Sequence, residues 1–330
     1  MIKSFLIKSF KFFFKPPKYR LKIFFLDFFG INLFRILFYK ISFKLRGIIL
    51  KKKLAKIFKK YKNPISLMDR DGILKIEKYF PDKTFKKIEK ILKKIFSEMQ
   101  YLEFRSGGKI KTLSINGDES SNDRRFIYDI FVKDKYLKEM IIFKQRTLFY
   151  WKPRVVIQEI FIPKNCSDKN DTLHVLHTDR FFNHIKLFFY INPQNSKNGA
   201  YVYAKKSHKI NTFYRYLHEY ESAFRASKNL LMNILGLKAD KYHLKSYDSI
   251  SPYFRNKLKL KEESISGDKN TLVLTDNCGF HSRGVMKSGT KRIQIRIQFQ
   301  YLEIGILRTI FLFLFQKINK NFLKITNDGI

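Results

Sequence analysis

The sequence predicts a mainly β protein with flanking helices, folded as a double-stranded β-helix, which is a jelly roll of the cupin-like kind. From Thr147 onward, short apolar segments with a two-residue period follow one another, separated by turn residues. One largely helical stretch, residues 209–262, interrupts these strands, and further strands follow it. Many short strands with a single insertion favour a jelly roll or a related β-sandwich.

Three regions are predicted along the 330-residue chain. Residues 1–62 form a basic amphipathic extension, and Asn63-Pro64 marks its end. Residues 63–302 form the β-domain, with the helical insertion 209–262 as a wall of its pocket. Residues 303–330 form a Phe-rich amphipathic tail.

Within the β-domain, residues 72–76 predict a short strand and residues 81–99 a helix that opens at a proline. Residues 106–123 are rich in Gly, Ser and Asn, which is typical of a loop. The dipeptide Asn198-Gly199 is a strong hairpin signal. The later strands are predicted at residues 154–162, 172–177, 185–191, 200–204, 271–275 and 292–302.

The chain is extremely basic, with a formal net charge of +39. Such a charge attracts phosphates of nucleic acid or of an anionic membrane. The joint over-use of Lys, Phe, Ile and Asn is also what an AT-rich genome produces. The charge is concentrated in residues 1–62, which contain 18 Lys or Arg and one acid, Asp27. A helix from this region can lie flat on an anionic membrane, or it can pack on the domain as an ordinary surface helix.

No sequence segment is both long and apolar enough to predict a membrane span, and no secretory signal is expected. The two cysteines, Cys166 and Cys278, have no metal-binding or redox spacing and fit a reducing cytosol. The expected location is therefore the cytoplasm, with peripheral contact at the inner face of the membrane as a further hypothesis.

The candidate chemistry begins with His177-Thr178-Asp179 at the end of a predicted strand. Residues two apart in a strand point to the same side, so His177 and Asp179 can bind one metal ion. His281 follows the strand 271–275 and supplies a third ligand. Two histidines and one carboxylate leave coordination positions open, as in non-haem Fe(II) oxygenases that bind a cosubstrate and O₂.

Arg292 lies eleven residues after His281, at the start of the last predicted strand. A strand that returns past the metal can direct a guanidinium at the far carboxylate of 2-oxoglutarate. Arginine suits this task because its planar fork binds a carboxylate through two hydrogen bonds and stays charged.

These segments resemble the phytanoyl-CoA dioxygenase family over residues 65–302. The matching motifs, which fill about a quarter of that range, are His177-Thr178-Asp179, Asn198-Gly199-Ala200, Ser207-His208-Lys209, and residues 271–276 followed by His281, Gly284 and Arg292. The resemblance implies an enzyme with Fe(II) as cofactor and 2-oxoglutarate and O₂ as cosubstrates, which hydroxylates a small-molecule, lipid or acyl substrate.

By the same resemblance, His177, Asp179 and His281 are the iron ligands, and Arg292 anchors 2-oxoglutarate. Gln158, on the strand before the His-x-Asp motif, is similar to a cosubstrate contact in related hydroxylases. The chain departs from the family where a small hydroxyl residue often follows the distal histidine by two. Arg283 occupies that place, and Ser282, one position earlier, is the candidate substitute.

Three other functions compete with this interpretation. A jelly-roll binding protein without catalysis would keep the fold and need not keep a metal. A nucleic-acid protein, either a basic demethylating oxygenase or a plain binder, is suggested by the charge, but no nucleic-acid motif is present. An enzyme at a membrane surface, acting on a lipid or lipid-linked glycan, is compatible with the oxygenase hypothesis.

Overall fold

The computed structural model describes residues 31–103, 107–117, 120–147, 153–166, 174–179, 185–219, 221 and 249–299. The tail 303–330, the first thirty residues and the middle of the insertion, residues 222–248, lie outside the described residues. The predictions made for those segments therefore stay predictions.

Within the described residues, ten strands form two antiparallel sheets. The strands are β1 Ile73–Ile76, β2 Leu102–Glu103, β3 Lys109–Ile115, β4 Arg154–Phe161, β5 Ile185–Tyr190, β6 Tyr201–Ala204, β7 Glu262–Ser264, β8 Thr271–Asp276, β9 His281–Arg283 and β10 Lys291–Gln298. The large sheet has the order β1-β8-β5-β10-β4-β3-β2, and the small sheet has the order β7-β6-β9. An isolated bridge between His177 and His281 adds one more segment beside β9.

From β4 onward the chain passes repeatedly between the two sheets. It runs from β4 in the large sheet to His177 beside the small one, back to β5, across to β6 and β7, and back to β8. It then crosses to β9 and returns in β10, which lies between β5 and β4. This alternation is that of a double-stranded β-helix, so the predicted fold class is confirmed.

Helices flank the sheets. Their bounds are α1 Ile31–Ile49, α2 Lys51–Lys60, α3 Lys62–Asp71, α4 Asp82–Ser97, α5 Asn122–Val132, α6 Lys135–Gln145, α7 213–219 and α8 Pro252–Lys257. The strand and helix predicted at 72–76 and 81–99 are confirmed by β1 and α4. In α4, apolar residues recur at helical spacing and bury one face, with Phe85, Ile88 and Leu92 as examples.

The two faces of the large sheet have different environments. Alternate residues of its strands, such as Phe189, Leu274 and Ile295, belong to the main apolar core together with residues of α4 to α6. Side chains of a strand alternate between faces. In β10, Arg292 and Arg296 therefore point to the inner face, toward the small sheet, while Ile295 points to the helices.

The structure corrects two predictions in the β-domain. A strand was expected at residues 172–177, yet in the described part of that segment, residues 174–177, only His177 pairs with neighbouring chain, through isolated bridges. Residues 106–123 were expected to form a loop, yet β3 occupies Lys109–Ile115 and pairs with β4 along its whole length. The pattern is weak because β3 mixes polar and apolar residues and only Ile110 and Ile115 are buried. Pairing with a neighbouring strand therefore decides the conformation here, and composition does not.

The basic extension is attached to the domain where the structure describes it. Leu50 and Ile57 are buried, and Lys60 Nζ lies 2.8 Å from Glu139 Oε2 on α6. The dipeptide Asn63-Pro64 lies in the first turn of α3, where proline is tolerated because that N–H has no helical partner. No described helix is both long and apolar enough to cross a membrane.

Candidate metal centre

His177 and His281 are brought together by backbone pairing. The N–H of each donates to the carbonyl of the other at 2.9 Å, which is the reciprocal arrangement of directly opposed antiparallel residues. Their ring centroids lie 4.6 Å apart. Asp179, two residues after His177, places Oδ2 at 3.3 Å from His281 Nε2. One ligand atom from each of the three residues lies within 4.8 Å of the others.

Both histidines present the same ring nitrogen to this centre. His177 Nδ1 lies 2.8 Å from the carbonyl of Val175, and His281 Nδ1 lies 3.0 Å from that of Gly279. A carbonyl can only accept, so each Nδ1 carries a proton and each Nε2 is the nitrogen that remains for a metal. Backbone hydrogen bonds of this kind fix the tautomer and ring orientation of metal-binding histidines.

The protonation states also suit a metal. Burial, together with repulsion from His281, lowers the pKa of His177 to about 4, so its imidazole is neutral at pH 7. Burial acts to raise the pKa of Asp179, but nearby Lys186 and the histidines outweigh it and hold that pKa well below its usual range. Lys186 Nζ lies 2.5 Å from Asp179 Oδ2. Asp179 is therefore an ionised carboxylate.

Asn277 connects the ligands from the β8–β9 turn. Its side-chain amide donates to Asp179 Oδ2 and lies 3.1 Å from His281 Nε2. Its backbone carbonyl accepts from the Asp179 N–H at 3.1 Å. Tyr201, on β6, donates to Asn277 Oδ1 at 3.4 Å, and its ring lies 5.5 Å from that of His281. Sequence reasoning did not identify Asn277, and its place in the turn gives no pattern that would have done so.

The turn that leads to His281 is held from outside by the Ser207-His208-Lys209 motif. The Ser207 hydroxyl accepts from the Phe280 N–H at 2.8 Å. Gly279 leaves room for this packing, since a Cβ there would lie 2.0 Å from Tyr203 Oη and 2.9 Å from Ser207 Oγ. The motif therefore acts by positioning the backbone of the distal histidine.

A buried ion pair on α7 holds the same turn. Arg215 Nε lies 2.9 Å from Glu219 Oε1, and Arg215 Nη2 donates to the carbonyl of Cys278 at 2.8 Å. Both charged side chains are almost fully buried. The start of the helical insertion is thus attached to the chain three residues before His281, a contact that the sequence pattern did not reveal.

The other predicted residues lie as follows. Arg292 is buried on the inner face of the large sheet and donates to the carbonyl of Gly199 in the Asn-Gly turn. Gln158, also on that face, accepts from Gln294 of β10 at 3.1 Å. Ser282 is buried, but strand alternation places its side chain on the opposite face of β9 from His281 and Arg283.

The donor set fits a mononuclear metal ion. Two imidazoles and one ionised carboxylate, converging from one side, match the two-histidine, one-carboxylate arrangement that binds Fe(II) and leaves exchangeable positions. His177 and Asp179 are partly exposed, so the centre is accessible from outside the domain. The fold and the donor set together define a double-stranded β-helix protein with a two-histidine, one-carboxylate metal centre.

Comparison with known proteins gives only distant similarity. No protein-family model matches the chain, and no curated protein matches it. Similar solved structures include EvdMO1, at 14% identity over 72% of this chain and 49% of that one, with a TM-score of 0.46. The epimerase SnoN, solved with Fe³⁺, alpha ketoglutarate and nogalamycin RO, has 10% identity over 72% and 81% of the two chains and a TM-score of 0.46.

EctD from S. alaskensis, solved with bound Fe, has 13% identity over 71% of this chain and 74% of its own, with a TM-score of 0.42. The present chain spans about half the length of EvdMO1. These values describe a remote structural similarity.

Proposed function

We propose that the protein is an Fe(II)- and 2-oxoglutarate-dependent oxygenase related to the phytanoyl-CoA dioxygenases. The observation that carries the proposal is the convergence of His177, Asp179 and His281, from two distant parts of the chain, within 4.8 Å. Fe(II) is the metal that this donor set favours when open positions remain. The iron would be held by these three residues and no others among those described.

Bound iron with 2-oxoglutarate and O₂ supplies the oxidation of a C–H bond, coupled to decarboxylation of the cosubstrate. The protein's own residues bind and orient the partners. His177 and His281 present fixed Nε2 atoms, and Asn277 and Lys186 hold the Asp179 carboxylate. The aromatic side chain of Tyr201 covers one side of His281 and limits the access of water.

Arg292 is the proposed anchor of the far carboxylate of 2-oxoglutarate. It lies on the inner face of the large sheet, where it is shielded from bulk water. A shielded guanidinium binds a carboxylate strongly because neither partner is screened by solvent. Gln158, on the neighbouring strand and the same face, is a further candidate contact, and its bond to Gln294 would have to rearrange to permit one.

The proposed reaction is hydroxylation of a small-molecule, lipid or acyl substrate. The decisive experiment is an anaerobic titration of the full chain with Fe(II) and 2-oxoglutarate, following the weak visible charge-transfer band of the ternary complex. A band that saturates at one equivalent of iron is expected. A folded protein that gives no band would instead favour the jelly-roll binding protein without catalysis.

A second proposal is that this enzyme acts at an anionic membrane surface. Four apolar side chains of α1 are exposed on one side of the helix, namely Ile41, Leu45, Ile48 and Ile49. Six exposed lysines follow on α2, namely Lys51, Lys52, Lys53, Lys56, Lys59 and Lys60. An apolar face beside lysines is the composition of a helix that lies in the headgroup region of an anionic membrane.

Replacing Ile41, Leu45 and Ile48 with Ser is expected to reduce binding to phosphatidylserine-containing vesicles at least about tenfold, because burying one such side chain is worth roughly 1.5–3 kcal/mol. Flotation of the full-length variant with vesicles measures this. Point substitutions are preferable to deleting residues 1–62, since Leu50 and Ile57 are buried in the folded protein.

The matched control replaces the exposed apolar residues Leu102 and Val285, which lie elsewhere, with Ser. It should float as the parent protein does. Equal flotation of the α1 variant and the parent would assign the binding to charge alone. Binding to pure phosphatidylcholine vesicles as strong as to anionic ones would remove the lysines from the proposal.

A further inference from the structure

The inner face of β10 carries a second arginine whose role is not explained by cosubstrate binding. Arg296 follows Arg292 by four residues and points to the same face, because side chains two and four apart share a face. At about 3.3 Å per residue the two positions are about 13 Å apart along the strand. This exceeds the length of 2-oxoglutarate, so the two positions have room to serve two different anions.

Arg296 lies at the end of β10 that is close to the metal centre. It pairs in register with Phe188 of β5, and the next inward-facing position, Gln298, pairs with Lys186. Lys186 contacts Asp179 at 2.5 Å. The Asp179 carboxylate is also close enough to attract the Arg296 guanidinium. Arg296 therefore lies beside the metal ligands, whereas Arg292 lies farther along the strand.

The surroundings of Arg296 leave its charge poorly compensated. Its Nε is buried and makes no hydrogen bond within the described part of the chain. Burial lowers the pKa of Arg296, and repulsion from Arg154 acts in the same direction, against the attraction of Asp179. A buried N–H of a cation that makes no hydrogen bond is unfavourable, and this cost is relieved when a bound anion accepts from it.

The balance of charges around Arg296 also favours the binding of an anion. Three cations, Arg154, Lys186 and Arg296, are here called the cationic rim. Lys186 and Arg296 are both attracted to the Asp179 carboxylate, and Arg154 repels Arg296. Asp179 is needed by the metal and is already in contact with Lys186. Binding of a divalent metal adds two positive charges, which the dianionic cosubstrate offsets. The rim then keeps an excess of positive charge that faces the centre.

We propose that the substrate carries an anionic group, a carboxylate, sulfonate or phosphate, which Arg296 binds beside the metal centre while Arg292 holds 2-oxoglutarate. This inference rests on the proposed function for the identity of the second ligand. Arginine at this place would orient the substrate, because a guanidinium donates two parallel hydrogen bonds to an oxyanion in a fixed geometry. A neutral hydrocarbon would make no favourable electrostatic interaction with the cationic rim.

The test uses the full chain and hexanoate as the anionic probe, with hexan-1-ol as its uncharged counterpart. Hexanoate should raise the melting temperature of the parent protein, since a ligand that binds only the folded state stabilises it by mass action. In Arg296→Gln the apparent affinity for hexanoate should fall at least about tenfold, as about 1.4 kcal/mol of lost binding energy corresponds to each factor of ten. Hexan-1-ol should act equally on both.

The control Arg125→Gln removes one positive charge from an exposed position of α5, so it accounts for general attraction of anions to this basic chain. It should keep the parent's hexanoate response. Arg296→Lys keeps the positive charge but lacks the two parallel N–H donors of the guanidinium, so it should retain part of the hexanoate response. It also separates loss of charge from loss of folding, should the Gln variant prove unstable.

Binding of 2-oxoglutarate is measured separately in each variant. Arg296→Gln should keep the parent's affinity for 2-oxoglutarate, which only Arg292→Gln should lose. A hexanoate response unchanged in Arg296→Gln would overturn the proposal, and so would loss of 2-oxoglutarate binding in that variant. If the parent protein binds no 2-oxoglutarate, yet its hexanoate response still depends on Arg296, the oxygenase function fails while the anion site stands.

Discussion

Replacing Asp179 with Ala is expected to lower the affinity for Fe(II) by more than about 100-fold, since losing an outer partner of a metal ligand alone costs about 10–100-fold. The carboxylate is the one anionic donor of the centre. Its removal also leaves the Lys186 ammonium near His177 without its 2.5 Å partner, so a cation is repelled where it was attracted. Anaerobic Fe(II) titration, with metal content after desalting, measures the effect.

The matched control is Asp268→Ala, which removes an exposed carboxylate outside the centre and should bind iron as the parent does. Iron-dependent turnover should be abolished in the Asp179 variant and unaffected in the control. Parent-like iron affinity in Asp179→Ala would remove this residue from the centre and, with it, the two-histidine, one-carboxylate assignment.

Replacing Arg292 with Gln is expected to weaken 2-oxoglutarate binding at least about 30-fold, with little change in Fe(II) affinity. Truncating one partner of a buried, hydrogen-bonded charge pair costs about 2–5 kcal/mol, and about 1.4 kcal/mol corresponds to a factor of ten. Gln is preferable to Ala here because it can still donate to the carbonyl of Gly199, which Arg292 holds in the Asn-Gly turn.

Iron-loaded protein titrated with 2-oxoglutarate, followed by its visible band, gives the dissociation constant. Arg292→Lys should show an intermediate affinity because it keeps the charge and loses the fork. The exposed Arg125→Gln again serves as the charge-matched control. An unchanged KM for 2-oxoglutarate in Arg292→Gln would contradict the anchoring role.

The local patterns of the sequence were sufficient for much of the fold and for two of the three residues of the metal centre, His177 and Asp179. The His-x-Asp spacing allows both side chains to point to one side of the chain, although only His177 has strand-like pairing. The apolar run in residues 271–276 and the alternation in residues 291–298 encode two strands. These features are visible because the physical rule that produces them acts over two to four residues. The membership of His281 in the centre needed the family resemblance, since no local rule relates it to His177.

The features that were missed depend on pairing or contact between distant residues. The β3 strand owes its conformation to β4, and its mixed composition gives no signal on its own. Arg215 and Asn277 contribute through contacts with the β8–β9 turn and with Asp179. The proposed division of roles between Arg292 and Arg296 depends on which end of β10 lies beside Lys186, and only the register shows this.

The large sequence separation between the groups that meet at the metal centre affects the order of folding. Asp179 and Asn277, which contact each other at the centre, are 98 residues apart in the chain. Contacts between residues far apart in the sequence form late, because the entropy cost of closing a long loop comes before the contact contributes any stabilisation. We expect that iron does not nucleate this fold. It should bind only to chains in which β9 has already paired with β6 and with His177. Metal content would then report the fraction of native molecules in a preparation.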